Sequence, residues 1–316
     1  MYLRVMIGIF SYNEGTNLPN IVHEILDQTT VIQSEVVLLD ESDDTYSLRL
    51  VNQLIEDHGL CNLGGSGKRM GKVHLKNALF KRFIESTCDY LMHFDSDQLI
   101  DHDCIRHMLE ALEAGADVIS ALNLSLPGRN FFERAVRITL RPAELSRSVG
   151  ASKLPLVGHN GGYSRHSVIA LFPIPEDGKD EEIWILHKAA ACGLRCQIVT
   201  NAKTSFRVPA SLSDYISSSR RVNASKLKFL GKRSVLKNDA SVSGLEETAV
   251  TDDKVQLVAQ LDKNPAAYFI LHSLKEDPLG SILLPWLLLV RLGIRLSSEP
   301  LSIITWSPVR TSKELE

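Results

Sequence analysis

A chain of 316 residues, 44% hydrophobic and 23% charged, can bury a large core, either as one α/β domain with an appendage or as two modest domains. Its 35 Lys and Arg against 38 Asp and Glu leave a formal net charge of -3, which excludes the broad cationic footprint that a nucleic-acid partner needs. Five cysteines (Cys61, Cys88, Cys104, Cys192 and Cys196) show no zinc-ligand spacing, and residues 1–10 lack a basic region followed by a small-residue cleavage site, so a reduced, cytoplasmic setting is expected.

Residues 4–10 read as a strand, 17–28 as an amphipathic helix, 35–39 as a strand and 45–58 as a helix. That alternation predicts a parallel, doubly wound sheet. A basic, glycine-rich loop over 64–72 leads into a helix over 73–86, then a strand over 90–94 that runs into Asp95-Ser96-Asp97. A helix over 103–114 and a strand over 118–121 continue the series. After Pro127 come a helix carrying Arg134, Arg137 and Arg141, a glycine-rich turn over 158–162, an acidic loop entering a helix over 180–192, and a strand from 196 to 199. Residues 231–254 are polar with few large apolar side chains, as in a linker or mobile loop. The run 278–294 is the most apolar in the chain, but Pro285 and Arg291 interrupt it and it is shorter than the ~20 residues of a spanning helix. It reads as a buried helix, with peripheral membrane contact or a homodimer interface as alternatives.

The polar clusters fall at the ends of predicted strands. Asp95 and Asp97 stand one residue apart after a buried strand, where an open α/β sheet presents ligands and where oxygen donors suit a divalent cation bound to a diphosphate. The same triplet can equally be a helix-capping turn. Ser11-Tyr12-Asn13-Glu14 follows the first strand and Asp40-Glu41-Ser42-Asp43-Asp44-Thr45 the second. Tyr12 can stack on a base, and Glu14 and Asp40 can accept hydrogen bonds from ribose hydroxyls or a pyrimidine N–H. Capping accounts for some of these residues, but not for four carboxylates within residues 40–44. The loop 64–72 departs from the phosphate-binding P-loop, because Ser66 stands where its first glycine belongs and Val73 follows Lys72. The arginines at helical spacing form either a solvated face or a site for an acceptor phosphate.

Taken in order, Ser11-Tyr12-Asn13-Glu14, the acidic turn from Asp40, Gly71-Lys72 with Asn77, and Asp95-Ser96-Asp97 resemble the family 2 glycosyltransferases of GT-A fold. The resemblance extends over about residues 4–222, through the glycines near 160, the triplet Asp180-Glu181-Glu182 and Arg220-Arg221. It implies an α/β GT-A catalytic domain with a doubly wound, mostly parallel sheet over 1–222; composition and pattern add a polar linker or mobile lid over 223–254 and a helical C-terminal extension over 255–316. It further implies a nucleotide-sugar donor, UDP-linked by default, bound by Tyr12, Glu14, Asp40, Lys72, Asp95, Ser96 and Arg221. A divalent metal, Mn²⁺ or Mg²⁺, would be held by Asp97 with Asp95. The general base falls within Asp180, Glu181 and Glu182, with Asp180 and Glu181 the first choices. The implied reaction is a metal-dependent, inverting transfer of one sugar to the hydroxyl of a small molecule, glycan or lipid-linked acceptor. Many members carry Q-x-x-R-W where this chain has Ser217-Ser218-Ser219-Arg220-Arg221-Val222, which argues against processive synthesis. Two alternatives stand beside this reading: a sugar-nucleotide-binding protein without turnover, and a sugar-phosphate nucleotidyltransferase using the loop 64–72.

Overall fold

The computed structural model describes residues 3–30, 32–65, 69–148, 160–176, 181–220, 275 and 277–296. The described residues gather into two compact units, one of 3–123 with 160–206, the other of 124–148 and 207–220 with residues between 275 and 296.

The first unit is an α/β sheet. Strand β1 (Arg4–Ser11) is buried from Val5 onward, and its side chains alternate between two core layers. Val5, Ile7 and Ile9 enter one layer, Met6 and Phe10 the other, as a period of two demands of a strand covered on both faces. Helix α1 (Asn17–Gln28) lays Leu18, Ile21, Val22 and Ile25 on the first layer, which is the i, i+3, i+4, i+7 stripe of an amphipathic helix. Strand β2 (Gln33–Asp40) follows, then helix α2 (Thr45–His58), capped by Asp44, whose carboxylate accepts from Ser47 N at 2.8 Å. The helix stops at Gly59 in the left-handed region, φ 64°. A two-residue strand β3 (Cys61–Asn62) precedes α3 (Lys72–Glu85), which packs Leu75, Leu79, Phe80 and Phe83 on the second layer. The last carbonyls of α3 and the turn after it are satisfied by the Arg165 guanidinium, which donates to Phe83 O, Ile84 O, Ser86 O and Cys88 O.

Strand β4 (Tyr90–Asp95), β5 (Gln98–Ile100), α4 (Cys104–Glu113), β6 (Val118–Ser125), β7 (Asn160–Ser164), α6 (Arg165–Leu171), α7 (Glu181–Ala191) and β8 (Cys196–Phe206) complete the sheet and its cover; α5 (Phe131–Ser148) belongs to the second unit. The strand order is β3-β2-β1-β4-β7-β6-β8-β5. Strands β1 to β4 pair in parallel, with β1 between β2 and β4. The chain therefore winds outward from β1 to β3 and returns on the other side of β1 as β4, so the winding reverses between β1 and β4.

One expectation fails here. Residues 160–162 were expected in a turn, but they form β7, antiparallel to both β4 and β6. The glycines serve close packing: a Cβ on Gly161 would come within 2.7 Å of His93 Cε1, and one on Gly162 within 2.7 Å of Ile119 Cγ1. Residues 158 and 159 lie outside the described residues, as does the polar segment 231–254.

In the second unit, α5 (Phe131–Ser148) holds the arginines. Their expected basic face is largely consumed by ion pairs. Arg134 makes two bonds to Asp277, at 2.7 and 2.5 Å, Arg129 pairs with Glu133, and Arg141 with Glu144. Asp277 also caps the short helix Pro278–Ser281. The helix Leu284–Leu296 buries Leu284 and Leu287, while Trp286, Leu288 and Leu289 are exposed. Among the described residues no helix is long and apolar enough to cross a membrane.

Candidate active site

The register of the parallel strands sets the site. Ser11 is level with Asp40 and Phe10 with Asp95, so the last residues of β2, β1 and β4 form one row at the carboxyl edge of the sheet, across the point where the winding reverses.

On the β2 side, Asp40 is buried and accepts from Ser42 N at 3.1 Å and Ser42 Oγ at 2.7 Å. Burial pushes its carboxyl above the ordinary aspartate value, and the bonds from Ser42 offset that only in part. Asn13, in the left-handed region at φ 54°, joins the β1 and β2 loops. Its Oδ1 accepts from Asp43 N and Asp44 N, its Nδ2 donates to Asp43 Oδ1 at 2.7 Å, and its N–H donates to Ser42 Oγ. Tyr12 donates to Asp43 Oδ2 at 3.0 Å, and the Arg69 guanidinium lies 3.9 Å from its ring centroid. Glu14 is buried at the start of α1, where its carboxylate accepts from Asn17 Nδ2 at 3.5 Å. The four polar residues after Asp40 thus divide their work: Asp44 caps α2, Asp43 holds Tyr12 and Asn13, Ser42 supports Asp40, and Glu41 accepts from Met70 N and Gly71 N at 2.8 and 3.0 Å. That last contact ties the β2 tip to the first turn of α3.

On the β4 side, Ser96 is buried and its N–H donates to Phe10 O at 2.9 Å, which fixes the turn between Asp95 and Asp97. Lys72, at the first residue of α3, donates to Asp95 Oδ2 at 2.8 Å and lies 3.9 Å from Glu181 Oε1. Burial draws the Lys72 ammonium down, but the carboxylates of Asp95, Glu181 and Glu182 overcome it and the net shift is upward. Lys76, one turn further along α3, is 3.7 Å from the same Glu181 oxygen and almost wholly buried, which lowers its pKa against the pull of Glu181. Glu181 is itself held below the ordinary glutamate value: burial would raise it, and Lys76 and Lys72 outweigh that. Glu182 is half-buried and lines a small cleft of mixed character, with Lys76, His93 and Asn160 on its polar side and Val118, Ile119 and Ile185 on its apolar side. Asn77 holds the segment leading to these acids, donating to Ile174 O at 2.7 Å and accepting from Ile174 N at 2.8 Å.

A family model described as "Glycosyl transferase family 2" matches residues 6–172, which is more than half of the chain. The chain belongs to glycosyl transferase family 2. As a family 2 glycosyltransferase it shares its fold with a mannosyltransferase from Pyrobaculum calidifontis solved in complex with GDP-Man and Mn²⁺. The two are 17% identical with a TM-score of 0.57, over 98% of this chain and 83% of that one. Glucosyl-3-phosphoglycerate synthase from Mycobacterium tuberculosis, solved with Mn²⁺, UDP and glucosyl-3-phosphoglycerate, is 17% identical over 72% of this chain and 79% of that one, at a TM-score of 0.47. No curated protein matches the chain.

Of the residues expected at a glycosyltransferase site, Tyr12, Asp40, Lys72, Asp95, Ser96, Asp97, Glu181 and Glu182 lie at the carboxyl edge of the sheet or on the helix ends beside it. Asp180 and Arg221 lie outside the described residues. Sequence reading passed over Glu41 and Lys76. Lys76 left a signal: α3 buries positions 75, 76, 79, 80 and 83, and a lysine stands where that stripe calls for an apolar residue. Glu41 left none, because its partners are backbone N–H groups 29 and 30 residues away.

Proposed function

We propose that this glycosyltransferase moves a single sugar from a nucleotide-sugar, UDP-linked in the first instance, to an acceptor hydroxyl in the cytoplasm, with inversion and with a divalent metal. The observation that carries the reading is the row of Asp40, Ser11 and Asp95 at the ends of three adjacent parallel strands, with Lys72 reaching Asp95 from the helix beside them.

Tyr12 would stack on the base, and Asp40 would accept from the nucleoside, with Glu14 beneath that loop. Lys72 would turn from Asp95 to the diphosphate, and Arg221 would add a second cation to it. Asp95 and Asp97 would hold Mn²⁺ or Mg²⁺. Two aspartates on one short turn offer the oxygen donors such an ion takes. Such an ion takes its remaining ligands from the substrate's phosphates and water. When bound, the metal supplies positive charge to the departing diphosphate.

Among the acidic triplet, Glu182 is the base we favour. Glu181 is committed to two lysines, whose charge favours its ionised form and weakens it as a base, whereas Glu182 is half-buried and lines the small cleft beside Lys76. Glu182 takes the acceptor's hydroxyl proton as the acceptor oxygen bonds to the anomeric carbon. The bond from that carbon to the phosphate oxygen breaks, and its electron pair leaves with the nucleoside diphosphate. Displacement from the face opposite the leaving group inverts the anomeric centre.

The test is a thermal-shift series with UDP, GDP, CDP, dTDP and their common sugars, each with Mn²⁺, Mg²⁺ or EDTA, on wild type and Asp97→Ala. GDP belongs in the series because the Pyrobaculum enzyme was solved with GDP-Man. A metal-dependent rise in Tm with one nucleotide, lost in the variant, is expected. No rise with any nucleotide overturns the proposal.

A further inference from the structure

Lys72 and Lys76 stand one helical turn apart on α3 and share one oxygen of Glu181, at 3.9 and 3.7 Å. Both ammonium groups also lie over the Phe10 ring, 5.6 and 6.0 Å from its centroid. The two lysines are otherwise unequal. Lys72 is 29% exposed and has a closer partner in Asp95, whereas Lys76 is 1% exposed and Glu181 is its only ion-pair partner within 4.0 Å among the described residues. Glu181 is 11% exposed, too little for water to replace a lost cation.

We propose that Lys76 is the standing counter-ion of Glu181, a positioning residue that releases Lys72 for the donor's diphosphate. The inference rests on the reading of this edge as the donor site. A diphosphate that draws Lys72 away removes one of the two cations on Glu181. With Lys76 in place the buried carboxylate stays compensated and Lys72 moves at little cost. Without Lys76, the departure of Lys72 leaves Glu181 with a backbone N–H but no cation, so Lys72 is held back and the donor binds weakly. Lys76 acts on donor affinity without touching the donor. Its companions at this spot are Asp95 from β4, Glu182 from α7 and the Tyr163 hydroxyl from β7, with the His93 ring stacked on Tyr163 in the same cleft.

The experiment is a double-mutant cycle of Lys76→Met and Glu181→Gln, with Lys76→Arg as the conservative variant, read as the Kd of UDP and of GDP with Mn²⁺ and as Tm. Lys76→Met is expected to raise the nucleotide Kd about tenfold or more, a change of the size that stripping a buried charge produces. Lys76→Arg should recover most of the affinity. Lys76→Met/Glu181→Gln should return Kd to within about threefold of wild type, because no buried charge remains to be stripped. The pair of neutral, near-isosteric side chains also guards against a variant that merely fails to fold. An unchanged Kd in Lys76→Met, or a double variant that keeps its Tm and binds as weakly as the single one, overturns the inference while the donor-site reading stands. A wild type that binds neither nucleotide removes the donor-site reading and this inference with it.

Discussion

The Lys72 ammonium lies 2.8 Å from Asp95 Oδ2, joining the first turn of α3 to the tip of β4. Each is the other's counter-ion, and the donor would have to separate them. If Lys72 serves the diphosphate, Lys72→Met should weaken UDP or GDP binding by about 10- to 100-fold, the worth of a charged hydrogen bond, and leave the bare nucleoside unaffected. Calorimetry on both ligands checks this. Equal losses for nucleoside and diphosphate would place Lys72 outside phosphate recognition.

The two described glutamates of the triplet should separate kinetically. Glu182→Gln is expected to lower kcat by about 10²- to 10⁴-fold with little change in donor Kd, as loss of a general base does. Glu181→Gln should instead lower Tm, because it leaves Lys76 buried without its carboxylate. Steady-state rates and melting curves on the two variants are sufficient. A Glu182→Gln enzyme with wild-type kcat would return the base role to Asp180 or Glu181.

Asp40 supplies a pH signature. Its folded pKa is raised by burial, so the ionised form that accepts from a nucleoside is lost at higher pH than for an ordinary aspartate. Nucleotide affinity should fall on acidification with a midpoint above 3.8, and Asp40→Asn should bind weakly without that transition. For stability the sign is opposite to that of a salt-bridged acid: what Asp40 contributes is fully present below the unfolded value and is lost as pH rises through the folded one. Binding titrations at several pH values, with Tm alongside, test both statements.

Asn77 uses both ends of its amide on the backbone of Ile174. Asn77→Leu removes two hydrogen bonds and should cost about 1–3 kcal/mol, and Asn77→Asp, which keeps the acceptor but sets a carboxylate oxygen against Ile174 O, should cost at least as much. Urea denaturation measures the cost. An Asn77→Asp protein as stable as wild type would show that the bond to Ile174 O contributes nothing.

In the second unit, Asp277 both caps a helix and receives the Arg134 guanidinium. Asp277→Ala should cost about 1–2 kcal/mol, of which the cap supplies about 1 and the exposed ion pair the rest. The hydrogen bond from Arg134 holds the Asp277 carboxyl below 3.8, so its contribution is present above that pH and disappears as pH falls through the lower folded value. Denaturation of Asp277→Ala and wild type at neutral and acid pH should show a gap that closes on acidification.

Much of the first unit was legible without coordinates. Helices α1 and α2 coincide with the residues expected of them, since an apolar stripe bounded by a polar turn or Gly59 is a local signal. The parallel pairing of β1, β2 and β4 followed from the alternation of strands and helices, whereas the two-residue β3 and the three-residue β5 are too short to leave a signal. The misread was β7, where consecutive glycines look like a turn from sequence and are in fact the only residues small enough to run beside His93 and Ile119. Strand β8 was likewise expected over four residues and extends over eleven, because the buried, alternating positions of its second part are Ala202 and Thr204, small or polar side chains that give little apolar signal.

At the site the same division holds. The residue types and their order along the chain pointed to the strand tips and to the family, because a donor's phosphates and hydroxyls call for carboxylates and cations that composition can display. Which cation meets which carboxylate was decided by the tertiary structure alone. Lys76 and Glu181 are more than a hundred residues apart, as are Lys72 and Glu181, and only the packing of α3 and α7 against one sheet brings them together. Likewise Glu41 meets Met70 and Gly71 only because β2 and α3 end at the same edge. Local sequence fixes the period of a helix or strand; long-range pairings arise from the register and order of the strands, and no short window of residues encodes them.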